Sequence, residues 1–136
     1  MVRTILFVCV GNAGRSQMAE AIFNRLAPSG FRGISAGTMP AKEVNPLAIE
    51  ALRQIGVDAS GYKPKLVSPD MVREAERIVT MGCEASNFCP AKFLPKVEDW
   101  NIEDPKDKTL QQIISIRETI RERVEGLIRE LQSTQT

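Results

Sequence analysis

The chain has 136 residues, of which 43% are hydrophobic, enough for one domain with a single core. Its 18 basic and 17 acidic residues give a net charge of +1, without the long run of one charge that marks a nucleic-acid arm or a membrane-surface patch. The apolar stretches are shorter than the ~20 residues that span a bilayer. We therefore expect a soluble, cytoplasmic protein that binds neither nucleic acid nor membranes, and we expect a monomer.

Strand-like and helical patterns alternate along the chain. Residues 3–9 are apolar and β-branched without alternation, which predicts a buried strand, and helical spacing of apolar residues follows from Ser16. Further predicted elements are strands at 31–36, 77–81 and 96–99 and capped helices that begin at Asn45, Ser68 and Thr109. This order predicts one α/β domain over residues 1–132, a four-stranded parallel sheet flanked by helices on both faces, followed by a frayed tail over 133–136.

The three cysteines and the absence of histidine restrict the possible chemistry. An odd number of cysteines argues against a static disulfide framework. Without histidine there is neither a Cys–His dyad nor one of the commonest zinc sites. A reactive cysteine in this chain must therefore be activated by backbone dipoles, arginine or hydroxyl groups.

The loop between the first strand and the first helix carries the strongest chemical signal. A helix N-terminus presents unpaired N–H groups and a partial positive charge, and a loop wrapped before it can aim further N–H groups at one point. In this loop Cys9 precedes an arginine by six residues. The predicted oxyanion-binding residues are Val10, Gly11, Asn12, Ala13, Gly14, Arg15 and Ser16.

The residue types of this loop suit a nucleophile beneath a phosphate-like oxyanion. Gly11 and Gly14 permit the positive φ angles that such a wrap demands, and Asn12 tolerates the same region. Arginine can fork onto two oxygens of a tetrahedral oxyanion. The positive surroundings and the Ser16 hydroxyl favour a thiolate at Cys9. The alternative is that Cys9 is a buried core thiol that ends the strand.

The pattern of a cysteine, five residues, an arginine and a serine resembles the signature of the low-molecular-weight protein tyrosine phosphatase superfamily. Ser35-Ala36-Gly37 and Asp104-Pro105 also resemble this superfamily, and the match covers nearly the whole chain in order. The resemblance implies a phosphatase-like fold in which Cys9 is the nucleophile. It further implies that Asp104 is the general acid that protonates the leaving oxygen. Glu103 and Asp99 are the less favoured candidates for that role.

Two more cysteines, Cys83 and Cys89, follow the third strand. The segment 79–90 is similar to thioredoxin-coupled arsenate reductases, a branch of the superfamily, as are Gln17-Met18-Ala19-Glu20, Val44-Asn45-Pro46 and Trp100. Lys106 and Asp107 stand after the Asp-Pro pair, where plain phosphatases of the superfamily usually carry tyrosines.

The resemblance to this branch implies a thiol relay. Cys9 forms an adduct with arsenate, and Cys83 attacks Cys9 and releases arsenite. Cys89 then attacks Cys83, which leaves a Cys83–Cys89 disulfide. Thioredoxin or a similar dithiol protein then reduces the Cys83–Cys89 pair, with no tightly bound cofactor. The Cα atoms of a disulfide are about 4.4–6.8 Å apart, whereas six residues of helix span about 9 Å. Residues 83–89 are therefore not expected to form one rigid helix in every state.

The chain departs from the reductase pattern at three places. Cys83 stands one position later than the family's first relay cysteine, which can turn its side chain away from the site. Gly14 stands where the loop usually holds another cysteine. Lys65 stands where a carboxylate helps some members to bind potassium, and because its ammonium can replace the cation, no metal is predicted.

Two other functions stay open at this point. The protein can be a phosphatase that hydrolyses phosphotyrosine or a small phosphoester through a phosphocysteine at Cys9, with Cys83 and Cys89 incidental or protecting Cys9 from oxidation. It can also be a non-enzymatic oxyanion or redox sensor, which leaves Asp104 without a task.

Overall fold

The computed structural model describes residues 2–133. Its four strands, all parallel, form one sheet in the order β2-β1-β3-β4. The strands are β1 (Arg3–Cys9), β2 (Phe31–Gly37), β3 (Arg77–Thr80) and β4 (Val97–Asp99). The α-helices of the described chain are α1 (Arg15–Leu26), α2 (Pro46–Arg53), α3 (Pro69–Glu74) and α4 (Leu110–Ser133). Two 3-10 helices, Ala85–Asn87 and Ala91–Lys96, lie between β3 and β4.

The internal strand β1 contributes to two apolar cores, one on each face of the sheet. Ile5 and Phe7 pack with α1, α2 and α4 in what we call the first core, and Leu6 and Val8 pack with α3 in the second core. Because helices cover both faces, the strand is buried without alternation, as is usual for parallel sheets. The predicted fold class is confirmed.

The helices begin at the predicted caps. The side chains of Asn45 and Ser68 accept hydrogen bonds from backbone N–H groups of α2 and α3, at 2.9 and 3.2 Å. Thr109 and Gln112 form a reciprocal capping box, in which each side chain accepts from the other residue's N–H, at 3.2 and 2.9 Å. No helix within residues 2–133 is both long and apolar enough to cross a membrane.

Several element boundaries differ slightly from the prediction. The first helix begins at Arg15 rather than Ser16, and the second strand extends to Gly37. The fourth strand begins after Lys96, which ends a 3-10 helix and donates through Nζ to the carbonyl of Ala75 at 2.5 Å. Ser133 belongs to the last helix rather than to a tail. The rest of the predicted tail, 134–136, lies outside the described residues.

The carboxyl ends of the strands meet at one edge of the sheet. Cys9 ends β1, Thr80 ends β3 and Asp99 ends β4, and the loops that leave this edge carry the predicted site residues. In open parallel sheets the ligand binds outside this edge. The topology therefore brings segments that are distant in the sequence to one place.

Candidate active site

The thiol of Cys9 is buried, with 2% of the residue exposed, yet polar groups surround its sulfur. The N–H of Asn12 donates to Sγ at 3.1 Å, and the Ser16 Oγ lies 2.8 Å from it. Hydrogen-bond donors aimed at sulfur stabilise a thiolate more than a neutral thiol. These contacts fit a nucleophile and are not explained by a simple core thiol.

The side chain of Asn12, which is fully buried, holds the loop together. Its Nδ2 donates to the Ser16 Oγ at 2.7 Å and to the Ser35 Oγ at 3.0 Å. Its Oδ1 accepts from the N–H of Lys65 at 2.9 Å and from the Gln17 amide at 3.0 Å. Because the Ser16 oxygen already accepts from Asn12, its own proton is free to point at the Cys9 sulfur.

The positive φ angles that glycine permits are not adopted at Gly11 and Gly14. Within the loop it is Asn12 that takes this conformation, with φ 51°, whereas Gly14 has φ −144°. Glycine at position 14 provides space instead, since a Cβ there would lie 2.4 Å from Cγ of Pro105. Sequence reasoning missed this contact because no local pattern reports an approach between two distant loops.

Arg15 stands at the mouth of the loop with its guanidinium fixed. Its Nη1 donates to the carbonyls of Met81 at 2.6 Å and Ile102 at 3.1 Å, which follow β3 and β4. Its Nη2 lies 3.7 Å from Oδ2 of Asp104. A planar, anchored guanidinium suits two-point binding of an oxyanion, as the sequence predicts.

Asp104 is the carboxylate that the structure brings to Arg15, and its side chain is 60% exposed. The other two candidates for the acid are engaged elsewhere. Asp99 accepts from the Thr80 hydroxyl at 2.9 Å and the N–H of Gly82 at 2.8 Å. Glu103 pairs with Lys108 at 3.1 Å. Of the three, Asp104 has the position that the predicted acid requires.

One cleft of about 620 Å³ opens above these residues. Its floor is the loop from Cys9 to Arg15, and Asp104 and Pro105 form one wall. Val44 and Leu47 add apolar surface to the lining, beside the polar residues Glu43 and Asn45. The volume lies within the usual range for small-molecule sites and exceeds what a bare oxyanion fills.

The structure turns Cys83 back toward the active-site strand despite its shifted position. Gly82 adopts φ 101°, and its N–H is fixed on Asp99. The Cys83 thiol then donates to the carbonyl of Val8 at 3.6 Å, the residue directly before Cys9. Burial raises the pKa of Cys83, and the charge of Cys9 raises it further. With Gly82 in this conformation, the displaced cysteine still contacts β1 beside Cys9.

Cys89 lies in the second core, with 6% of the residue exposed. Its N–H donates to the carbonyl of Ala85 at 2.8 Å, and burial raises the pKa of its thiol. Residues 83–89 include one 3-10 turn and form no single helix, as expected. All three thiols are free, and Cys9 packs in the first core whereas Cys83 packs against the second. A Cys9–Cys83 bond therefore requires this segment to move.

Lys65 lies beside the network that holds the loop. Its Nζ is 3.9 Å from Oε1 of Glu20, and that carboxylate accepts from the Ser35 hydroxyl at 2.7 Å. The ammonium thus occupies the neighbourhood in which the resemblance implies a cation for some relatives. The absence of a metal stays a prediction.

A buried thiol that accepts a hydrogen bond from a loop N–H ends a parallel strand and shares one cleft with an arginine and an aspartate. This arrangement is that of a phosphatase-like enzyme that acts on oxyanions. The chain belongs to the low molecular weight phosphotyrosine protein phosphatase family, whose profile matches residues 4–136.

Among relatives, an arsenate reductase of Staphylococcus aureus (strain N315) is 35% identical over 126 residues, 90% of this chain and 94% of that protein. A thioredoxin-dependent arsenate reductase of Corynebacterium glutamicum is 37% identical with a TM-score of 0.82, covering 98% of this chain and 64% of that chain. An arsenate reductase in the phosphate binding state is 29% identical with a TM-score of 0.83, covering 95% and 98%. The resemblance to the arsenate-reductase branch is confirmed.

Proposed function

We propose that this protein is an arsenate reductase in which Cys9 is the nucleophile and Cys83 and Cys89 form a disulfide relay. The observation that supports it best is the 3.6 Å contact of the Cys83 thiol with the carbonyl of Val8, next to Cys9. A plain phosphatase needs no second thiol at this place. The similarity to arsenate reductases over 90% of the chain points the same way.

In the first step the loop N–H groups and Arg15 bind arsenate, and the Cys9 thiolate attacks arsenic. A sulfur–arsenic bond forms and an arsenate oxygen leaves as water. Asp104 supplies a proton to that oxygen. The 3.7 Å separation between Arg15 Nη2 and Asp104 Oδ2 supports an acid and an oxyanion clamp that act on the same ligand.

In the second step the Cys83 thiolate attacks the Cys9 sulfur. The sulfur–arsenic bond breaks and its electron pair stays on arsenic, so that arsenic(V) becomes arsenic(III) and arsenite leaves. The two thiols lose two electrons in total and become a Cys9–Cys83 disulfide.

In the third step the Cys89 thiolate attacks Cys83 and releases Cys9 as a thiolate. The Cys83–Cys89 disulfide is then reduced by an external dithiol, for which we propose a thioredoxin-type protein. The scheme requires no tightly bound cofactor. It suits a monomer in the cytoplasm, where thiols are kept reduced.

The relay is tested by thioredoxin-coupled arsenate turnover of the parent, Cys83→Ser and Cys89→Ser. We expect no arsenite from Cys83→Ser, and from Cys89→Ser one equivalent without further thioredoxin-coupled turnover. Mass mapping of the parent after one equivalent of arsenate should find a Cys83–Cys89 bond. Equal turnover by all three proteins would contradict the relay. Phosphate binding by each variant is measured as the control that its oxyanion loop is intact.

The cleft volume favours a second candidate, a phosphatase of small phosphoesters. About 620 Å³ with apolar surface at Val44 and Leu47 leaves room for an organic group beside the oxyanion. In that case hydrolysis of an aryl phosphate would be fast, lost in Asp104→Ala, and unchanged in Cys83→Ser and Cys89→Ser. Slow hydrolysis beside rapid arsenate reduction would exclude this candidate.

A further inference from the structure

We infer that Gly14 is a positioning residue: the missing side chain lets the Pro105 ring seat on the oxyanion loop, and this seat sets the place of Asp104. The inference rests on the proposed role of Asp104 as the acid. Gly14 would thus act on the reaction indirectly, through Pro105 and the position of Asp104.

The contact between the two loops is too close for any side chain at position 14. A Cβ there would lie 2.4 Å from Cγ, 3.4 Å from Cδ and 3.7 Å from Cβ of Pro105. Carbon atoms in contact are normally about 3.5–4.0 Å apart, so the ring would have to retreat by about 1 Å. A proline ring is closed onto its own backbone and cannot rotate away. A change of ring pucker relieves part of this overlap at Cγ, and the remainder acts on the backbone at Pro105, to which the ring is closed.

The turn that carries the acid is bonded mainly within itself. Asp104 Oδ1 accepts from the N–H of Lys106 at 3.0 Å, and the carbonyl of Pro105 accepts from the N–H of Lys108 at 3.2 Å. The Lys108 ammonium pairs with Glu103 at 3.1 Å. Because these bonds hold the turn as one unit, a displaced ring carries the Asp104 carboxylate with it.

The difference in burial along this turn supports the same reading. Pro105 is buried, whereas the Asp104 side chain before it is 60% exposed, and Lys106 after it is exposed as well. The ring is thus the part of the turn that is fixed against the loop, while the carboxylate projects into the cleft. Proximity of this kind matters for catalysis, since a misplacement of about 1 Å can cost about 100-fold in rate.

The test compares Gly14→Ala, Pro105→Ala, the double variant and Asp104→Asn with the parent. Gly61→Ala is the control, because a Cβ at this exposed glycine meets nothing within 4 Å. The measurements are the single-turnover rate with arsenate, the hydrolysis of aryl phosphates with leaving groups of different basicity, and the binding of inorganic phosphate.

We expect Gly14→Ala to slow single turnover by about 10- to 100-fold and to hydrolyse aryl phosphates with basic leaving groups worst, the mark of a misplaced acid. Phosphate binding should weaken by a smaller factor than the single-turnover rate, since the N–H of residue 14 is kept while the acid is displaced. Pro105→Ala should lose rate as well, because the ring that seats the turn is gone. The double variant should be no slower than Pro105→Ala, because the new Cβ then has no ring to displace. Gly61→Ala should match the parent.

The outcomes separate this inference from the proposed function. If Asp104→Asn is slow but Gly14→Ala or Pro105→Ala is as fast as the parent, or the double variant is slower than Pro105→Ala, the inference on Gly14 is overturned alone. An equal loss of phosphate binding in Gly14→Ala also overturns it. If Asp104→Asn keeps the full rate on both substrates, the acid role falls and the inference with it. Crystal structures of the parent and of Gly14→Ala test the inference independently of activity, because the Asp104 carboxylate must differ in position by about 1 Å between them.

Discussion

At the scale of single residues, the active-site loop depends on Asn12 more than on its glycines. Asn12 combines a left-handed conformation with side-chain hydrogen bonds to four other residues, and one of these directs the Ser16 proton toward the nucleophile. Asparagine tolerates φ above zero better than other residues with a side chain, and its amide both donates and accepts. One side chain therefore sets the shape of the loop and the hydrogen bonding of the sulfur.

The second thiol of the relay gives a pH prediction at the same scale. Burial and the charge of Cys9 raise the pKa of Cys83, so that only a small part of it is thiolate at neutral pH. Because the thiolate is the attacking form, the rate of arsenite release should rise by about tenfold per pH unit and keep rising past the ordinary thiol pKa of about 8.5.

This profile is measured as single-turnover arsenite release by Cys89→Ser, which isolates the attack of Cys83. The formation of the Cys9 adduct, followed by quench at short times, is the internal control. A rate of arsenite release that levels off below pH 8 would show that the pKa of the Cys83 thiol is not raised.

At the scale of elements, the turn after β3 explains how a displaced cysteine still faces β1. Gly82 lies in the left-handed region at φ 101°, and its N–H is tied to the Asp99 carboxylate at the end of β4. A residue with a side chain is disfavoured there by roughly 1–2 kcal/mol. The conformation of Gly82 and its hydrogen bond to Asp99 thus set the position of Cys83 relative to β1.

Replacing this glycine should impair the relay before it impairs oxyanion binding. In Gly82→Ala the backbone is expected to leave φ 101° and to turn Cys83 away from Val8. Arsenite release should then be slower by tenfold or more, which corresponds to a barrier higher by ~1.4 kcal/mol. Phosphate binding and the first adduct should persist. Gly30→Ala is the matched control.

Gly30 has a comparable φ of 92° and open space around its Cβ position, and its turn precedes β2. Gly30→Ala should therefore lose a similar free energy of unfolding, about 1 kcal/mol, while releasing arsenite at the parent rate. Equal release rates in Gly82→Ala and the parent would mean that the turn does not position Cys83.

The elements also show what a sequence can reveal. The strands, the caps at Asn45 and Ser68 and the nucleophilic loop were predictable because each depends on residues close together in the chain. The seat of Pro105 on Gly14 was not, since it arises only when the sheet brings two loops together. Which loop residue takes the left-handed turn was not predictable either, because Gly11, Asn12 and Gly14 all permit it, and the structure has it at Asn12.

At the scale of the whole molecule, the two faces of the sheet separate the stable and the changing parts of the proposed cycle. Cys9 and its loop are supported by the first core, with α1 and α4, whereas Cys83 and Cys89 pack in or against the second core, with the short helix α3. A buried Cys89 must leave its place to pair with Cys83 and to meet a reductant. The change is then confined to one face.

This separation predicts a local loss of protection on oxidation. After one equivalent of arsenate, amides of segment 83–89, including Cys89 N–H on the carbonyl of Ala85, should exchange with deuterium faster than in the reduced protein. Peptides from β1, α1 and α4 should exchange as before, because the first core and the oxyanion loop are unchanged. Hydrogen exchange followed by mass spectrometry measures both sets of peptides, with Cys89→Ser as the control in which the Cys83–Cys89 disulfide does not form.

If residues 83–89 are protected equally in the oxidised and the reduced parent, the disulfide forms without opening this face. The reductant then has to reach Cys83 through the cleft of about 390 Å³ that Cys83 already lines.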